Sequence, residues 1–388
     1  MARSKEISRA GFLARAGVVG VAGAMGAPLL GGRASAVGAP GPGAAGAPDG
    51  TGGRPGLTYR GVSYEVIDGE TPFTGWDATR MRRDIRAIRD ELHADSVSVF
   101  GTGVERLAAT ASEVAERGLH VWLQPRLADV PQREILDHLA ETGRYAERLR
   151  RQGAEVHLSV GAEFVLFVPG IVPGDSAVER IKNLTSGNYD PKTLMRELRS
   201  FTERAAKVAR SVFQGGITYG AAQDEEVDWN LFDLVGVNYY ASFARRSEHI
   251  RELAKYRRWG KPVVVSEFGS CTYRGAPAQG GMGWDTVDYD KQPPEIIGDL
   301  VRSERTQAAY LADLVDVFES MDLYAALVYQ FVTPDAPHRH QPRYDLDMAS
   351  YSLVKAVWKT PEEPTAHWHW EPKEAFHALA RHYGRARC

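Results

Sequence analysis

The chain has 388 residues, 47 of them Lys or Arg and 50 Asp or Glu, for a formal net charge of −3; 43% are apolar and 25% charged. These fractions exclude wholesale disorder and collagen-like structure, and the near-neutral balance leaves no electrostatic footprint for nucleic acid. Two cysteines are too few for a disulfide scaffold or a zinc ribbon.

Residues 1–36 read as an export signal. Arg3, Lys5, Arg9 and Arg15 form a basic start, 16–30 is apolar, and Ala34-Ser35-Ala36 is a small-residue cleavage site. The apolar stretch is Gly/Ala-rich and too weakly hydrophobic for a permanent membrane span. No cysteine follows it to carry a lipid. Ser8-Arg9-Ala10-Gly11-Phe12-Leu13 is similar to the twin-arginine export motif, with Ala10 where a second arginine stands; that route and the general secretory one stay equally open. Cleavage removes five bases and one acid and leaves −7, which suits a secreted protein with no affinity for anionic surfaces. Residues 37–56 are mostly Gly, Ala and Pro, a linker that buries no apolar surface. The folded domain is expected over 57–388.

From there β-rich runs recur at 61–66, 96–100, 120–123, 156–160, 216–219, 234–240, 262–266 and 325–331. Amphipathic helical stretches fall at 78–92, 103–117, 132–151, 191–212, 247–259, 303–320 and 375–382. Strand alternating with helix predicts an α/β protein, a single (β/α)8 barrel. An open doubly wound sheet is the lesser alternative, because no G-x-G-x-x-G or Walker loop follows the first strand. Helix-to-strand connections are short, whereas the strand-to-helix loops 164–189, 268–302 and 332–373, after strands 4, 7 and 8, are long. In such barrels the site is built on those loops.

Two glutamates end two strands. In strand 4, side-chain alternation sends Val156, Leu158 and Val160 outward and Ser159, Gly161 and Glu163 toward the barrel axis; in strand 7, Val265 and Glu267 are read as inward. A carboxylate at the mouth is poorly hydrated. One alone fits an arginine pair or a helix cap; two at one mouth point to chemistry. On strand 6, Leu234-Val235-Gly236-Val237-Asn238-Tyr239-Tyr240, the residues Asn238 and Tyr240 share a face.

With Ser266-Glu267-Phe268-Gly269 closing strand 7 and Glu163 closing strand 4, the chain resembles the clan A retaining glycoside hydrolases, (β/α)8 enzymes whose acid/base and nucleophile are glutamates at these positions. The resemblance implies Glu163 as acid/base, Glu267 as nucleophile and Tyr240 as the tyrosine that orients the nucleophile. It implies a secreted glycosidase or transglycosidase of carbohydrate metabolism, working by double displacement without metal or organic cofactor. Retaining pairs sit ~5–5.5 Å apart, close enough that one pKa rises. Two positions depart from the clan: Ala162 stands where an asparagine precedes the acid/base, and Ser98 where strand 2 carries an arginine. Arg126 and Arg274 are candidates for the missing positive charge. Gly61-Val62-Ser63-Tyr64, Thr272-Tyr273-Arg274-Gly275, Asp345-Leu346-Asp347-Met348-Ala349-Ser350-Tyr351 and Trp370-Glu371-Pro372-Lys373 also resemble an uncharacterised actinobacterial secreted family. Some of its members are labelled abortive infection proteins, a label that states no chemistry.

Candidate sugar-binding residues are Asn238, Glu65, Trp122, Gln124, Tyr273, Arg274 and Trp284. Trp122 suits the barrel core equally, and Tyr273, Trp284, Trp368 and Trp370 suit loop packing. His338-x-His340 and His367-x-His369 fall short of the three or four ligands a zinc site needs, so no metal is expected. Cys271 and Cys388 can pair after export or remain thiols. The expected partner is a carbohydrate, with no nucleic acid and no stable membrane anchor; sugar, linkage and oligomeric state are open. The alternative function is a carbohydrate-binding or interaction protein on the same scaffold, without turnover, which Ala162 and Ser98 favour.

Overall fold

The computed structural model describes residues 56–223, 225–359 and 367–385. The expected export signal, linker residues 37–55 and Cys388 lie outside the described residues. Counting barrel strands only, β1 is Tyr59–Val66, β2 Ser96–Gly101, β3 His120–Pro125, β4 Val156–Ala162, β5 Ile217–Gly220, β6 Val235–Asn238, β7 Val263–Phe268 and β8 Ala325–Val328. They form one parallel sheet in the order β5-β4-β3-β2-β1-β8-β7-β6. The two ends meet through Ala221, whose N–H donates to the Gly236 carbonyl (3.1 Å) and whose carbonyl accepts from the Asn238 N–H (2.8 Å). A Cβ on Gly236 would lie 2.3 Å from the Tyr219 carbonyl oxygen, so this seam closes only around glycine. The result is a single (β/α)8 barrel, as the strand–helix alternation predicts.

Local chemistry sets the helix starts. Asp77 accepts from the Arg80 N–H (2.8 Å) at the start of Ala78–Asp90, Asp190 from the Thr193 N–H (2.9 Å) at the start of Pro191–Val212, and Ser303 from the Thr306 N–H (3.2 Å) before Glu304–Ser320. One crossover departs from the alternation. Among the described residues between β5 and β6 there is a single 3₁₀ turn, Trp229–Leu231, and no α-helix. A groove of about 590 Å³ lined by Met195, Trp229, Tyr256 and Trp259 lies on that side of the molecule.

The barrel interior at its N-terminal end is filled by Trp122, Leu234, Val264, Ala325 and Leu327, while Val265 belongs to the main core with the helices. The inward reading of Val265 is therefore corrected: Val264 faces the axis. No helix among the described residues is long and apolar enough to cross a membrane.

Candidate active site

Each of the two strands that end in glutamate carries one extra residue just before it. Between Ser159 and Ala162, β4 advances three residues while β5 advances two; between Val265 and Glu267, β7 advances two while β6 advances one, and β8 shows the same slip. Such bulges re-aim a side chain. In β4 the bulge uses Gly161 (φ 147°), where a Cβ would sit 2.5 Å from the Phe164 ring. Glu163 follows in the left-handed region (φ 45°, ψ 54°) as the cap of the short helix Phe164–Phe167. In β7 the bulge lets Glu267 face the axis although Val264 does too.

Both glutamates are buried, Glu163 to 1% exposure and Glu267 to 3%. Their partners differ. Glu267 pairs with the Arg126 guanidinium through Oε1 and accepts from the Tyr240 hydroxyl through Oε2 (3.1 Å). Glu163 accepts from Asn238 Nδ2 (3.1 Å), whose Oδ1 accepts from the Ser266 hydroxyl (2.8 Å). Burial raises the pKa of both. On Glu163 the charge of Glu267 adds to burial, whereas on Glu267 Arg126 and then Tyr240 oppose it. These partners favour the proton on Glu163 and the charge on Glu267.

Arg126 fills the place of the absent strand-2 arginine. It follows β3 directly, is itself buried, and packs with its guanidinium 4.4 Å from the centroid of the Phe100 ring. It donates to Gln124 Oε1 (2.7 Å), and Gln124 Nε2 reaches Ser159 Oγ (3.3 Å). Glu65 also belongs to this cluster: burial raises its carboxyl to about 7, against the pull of Arg126 and a hydrogen bond from Gln330, with the Glu267 charge adding. Tyr329, at the end of β8, is buried among Glu65, Arg126, Glu267 and Glu163, and its ring lies 5.6 Å from that of Phe100. Sequence reading missed it; its place directly after β8, with Phe331, is the only signal it offers.

Four of the candidate sugar-binding residues lie elsewhere. Trp122 sits at the opposite end of the barrel, its Nε1 donating to Ser96 Oγ (2.7 Å) and its ring stacked on His157 (4.6 Å). The Tyr273 hydroxyl is spent on the Gly283 carbonyl (3.0 Å), and Trp284 is buried in the core of the same loop. Arg274 is exposed, and Arg126, not Arg274, meets Glu267. The outlying loop tryptophans also have structural partners: Trp368 donates to the Phe73 carbonyl (2.7 Å) and Trp370 to Asp84 (2.8 Å). Tyr239 turns into the helical layer, where its hydroxyl meets His249 Nδ1 (2.7 Å). Cys271 is a buried thiol donating to the Ala349 carbonyl (3.2 Å).

The motif segments converge behind the mouth. Lys373, 0% exposed, bridges Asp347 (2.9 Å) and the Thr272 hydroxyl (3.0 Å), and Arg302 holds Asp345 (3.0 Å) and Asp347 (2.9 Å). Tyr351 donates to the Gly280 carbonyl (2.8 Å) and sets its ring edgewise against Tyr240 (5.7 Å). These segments pin the two long loops to each other and buttress the tyrosine on Glu267.

No family model matches the chain and no curated protein matches it, so the abortive infection label gains no support. Solved structures do match. A family 113 β-1,4-mannanase superposes with TM-score 0.55 at 12% identity over 84% of this chain and 99% of that one. The family 113 β-mannanase AaManA of Alicyclobacillus acidocaldarius gives 0.55 at 14% over 85% and 98%. A β-glucuronidase 2 of Bacteroides uniformis gives 0.52 at 14% over 84% of this chain and 35% of the other. At these identities the likeness is one of fold, and it is to glycoside hydrolase barrels.

Proposed function

We propose that the protein is a retaining glycoside hydrolase, with Glu267 as nucleophile and Glu163 as acid/base. The observation that carries this reading is the unequal partnering of two buried glutamates at one barrel mouth. A carboxylate held by Arg126 and Tyr240 keeps its charge and can attack; a carboxyl held neutral by burial and by its charged neighbour can donate. In the first step a Glu267 oxygen bonds to the anomeric carbon as the glycosidic C–O bond breaks and the Glu163 proton passes to the leaving oxygen. In the second, the Glu163 carboxylate takes a proton from water as that water's oxygen displaces Glu267. Tyr240 and Arg126 each hold one oxygen of Glu267 and so set the plane of its carboxylate. Transfer to a sugar hydroxyl in place of water is the transglycosidase variant of the same step.

Ala162 is the feature that favours the second reading, a carbohydrate-binding protein without turnover, because β4 places no amide of its own beside Glu163. An activated 2-fluoro-glycoside panel separates the two. A mass gain of one fluoro-sugar, mapped to Glu267, supports the hydrolase; an unchanged mass across the panel sinks it. The basic, apolar and Ala34-Ser35-Ala36 segments support action outside the cytoplasm; N-terminal sequencing of the exported protein tests that.

A further inference from the structure

The charge at the mouth is lopsided. Besides Glu163 and Glu267 it holds Glu65 at the end of β1 and Asp335 in the loop after β8, and the one cation among the groups acting on these carboxyls is Arg126. That guanidinium is committed to Glu267 and Gln124. On the β1/β8 side the charged groups are all acids. Glu65 is met by Gln330, and Asp335, next to Glu65 and Glu70, takes the Glu70 N–H (3.2 Å) and a hydrogen bond from the Thr74 hydroxyl. Gln330, 3% exposed, gives its Nε2 to Thr333 Oγ1 (3.1 Å), and its buried Oε1 has no donor among the described residues. Two unpartnered donors lie nearby: Arg126 Nε, on the guanidinium already balanced by Glu267, and the Ser63 hydroxyl, a neutral group two residues before Glu65 on β1. Glu65 and Asp335 are half-buried where the two catalytic candidates are sealed, so this is the side a ligand group reaches.

We infer that the β1/β8 side of the mouth is a subsite for a protonated amine, and that the glycan is built of amino sugars with free amines. An ammonium carries one positive charge and three N–H donors with no acceptor, the complement of two carboxylates and an orphaned amide oxygen. A hydroxyl offers one donor and no charge. A uronic carboxylate would stand beside Glu65 and Asp335 as a like charge. An N-acetyl group removes the cation and adds bulk. Burial holds the Glu65 and Asp335 carboxyls near 7, so a cation entering at neutral pH has protons to displace there and completes their ionisation.

This inference rests on the glycosidase reading only for where the glycan lies, and binding tests it without turnover. The full chain is titrated calorimetrically at neutral pH with the β-1,4 glucosamine tetramer, its N-acetylated counterpart, cellotetraose and tetragalacturonate. The glucosamine tetramer is expected to bind at least about tenfold tighter than the others, and Glu65→Gln and Asp335→Asn each to cut that preference by about tenfold. Equal binding of cellotetraose, tighter binding of the acetylated or uronic ligand, no binding of the glucosamine tetramer, or a preference that survives both variants overturns it. The wild-type panel decides even where a variant fails to fold. A free-amine preference without fluoro-sugar labelling leaves this inference standing and removes the hydrolase; labelling without the preference does the reverse.

Discussion

At the N-terminal end of the barrel, Tyr59, His120, Trp122, His157 and Tyr324 stack into an aromatic floor; at the C-terminal end, the carboxyls of Glu65, Glu163 and Glu267 surround one guanidinium, with Asp335 beside Glu65. Both ends bury polar atoms. In the floor they meet one another as neutral groups: His120 Nε2 and His157 Nδ1 share a hydrogen bond (2.7 Å), and burial lowers the pKa of His157 to about 4 and of His120 to about 2. At the mouth burial instead raises carboxyls that have too little positive charge to balance them. A floor that satisfies itself adds stability, whereas an unbalanced mouth must be held in place by the rest of the fold, as functional sites commonly are.

The largest effect separating the two ends is on turnover. Glu267→Gln is expected to lower kcat by roughly 10⁴-fold or more, while Glu163→Gln costs roughly 10²–10⁴-fold on poor leaving groups and far less on activated aryl glycosides. Azide restores product formation in Glu163→Gln with retained configuration; retained azide product from Glu267→Gln instead would exchange the two roles. Melting temperatures should also separate the two, down in Glu267→Gln, which orphans Arg126, and nearly level in Glu163→Gln, which replaces a neutral carboxyl by a neutral amide.

Next comes Arg126→Met, which strips the mouth of its cation. Breaking a buried pair by removing one partner costs about 3–5 kcal/mol, so a clear loss of melting temperature is expected. The acid limb of the kcat/KM profile should also shift upward, since Glu267 loses the group that holds it ionised. Retention of the wild-type pH profile would show that the pair only holds the fold.

Tyr240→Phe should cost roughly 10-fold in kcat, about the worth of one hydrogen bond to a charged group, with KM little changed. Tyr239→Phe, one residue away but facing the helical layer, should leave kcat untouched. At the floor, Trp122→Phe should lower stability by roughly 1–3 kcal/mol and leave kcat and KM alone; a change in KM would return Trp122 to the sugar site.

The smallest effect is on the pH dependence of stability, and the two ends pull it in opposite directions. His157 binds its proton at about 4 when folded and at about 6.5 when unfolded, so the unfolded chain binds more protons between these values, and the floor loses stability as pH falls through that window. Glu65 titrates at about 7 when folded against about 4.5 unfolded, so the mouth loses stability as pH rises through its own window. The two windows overlap between about 4.5 and 6.5, where the slopes oppose each other, so thermal melts should turn toward loss with rising pH in His157→Gln and toward loss with falling pH in Glu65→Gln. A pH dependence unchanged by Glu65→Gln would mean that the carboxyl is not desolvated.

The sequence by itself determined the barrel and placed two glutamates at the C-terminal end of its strands. Strand alternation, helix caps and loop length are local signals, and residues such as Asp190, Pro191 and Ser303 act within one helical turn of themselves. It also placed Tyr240 on the Asn238 face, because a side-chain period of two needs only the neighbouring residues. Only the tertiary structure decided the rest. The bulges in β4 and β7 arise from pairing with neighbouring strands, so the Val265 parity could not be read from β7 alone. Arg126 and Glu267 are 141 positions apart, and which arginine replaces the one missing from strand 2 depends on two strands meeting across a closed ring. Trp122 has the same parity as a mouth residue; its height along the axis, set by the stagger of the strands beside it, makes it floor. Periodicity tells a side chain which face to take, but depth in a barrel is fixed only when eight strands close and set one another's register.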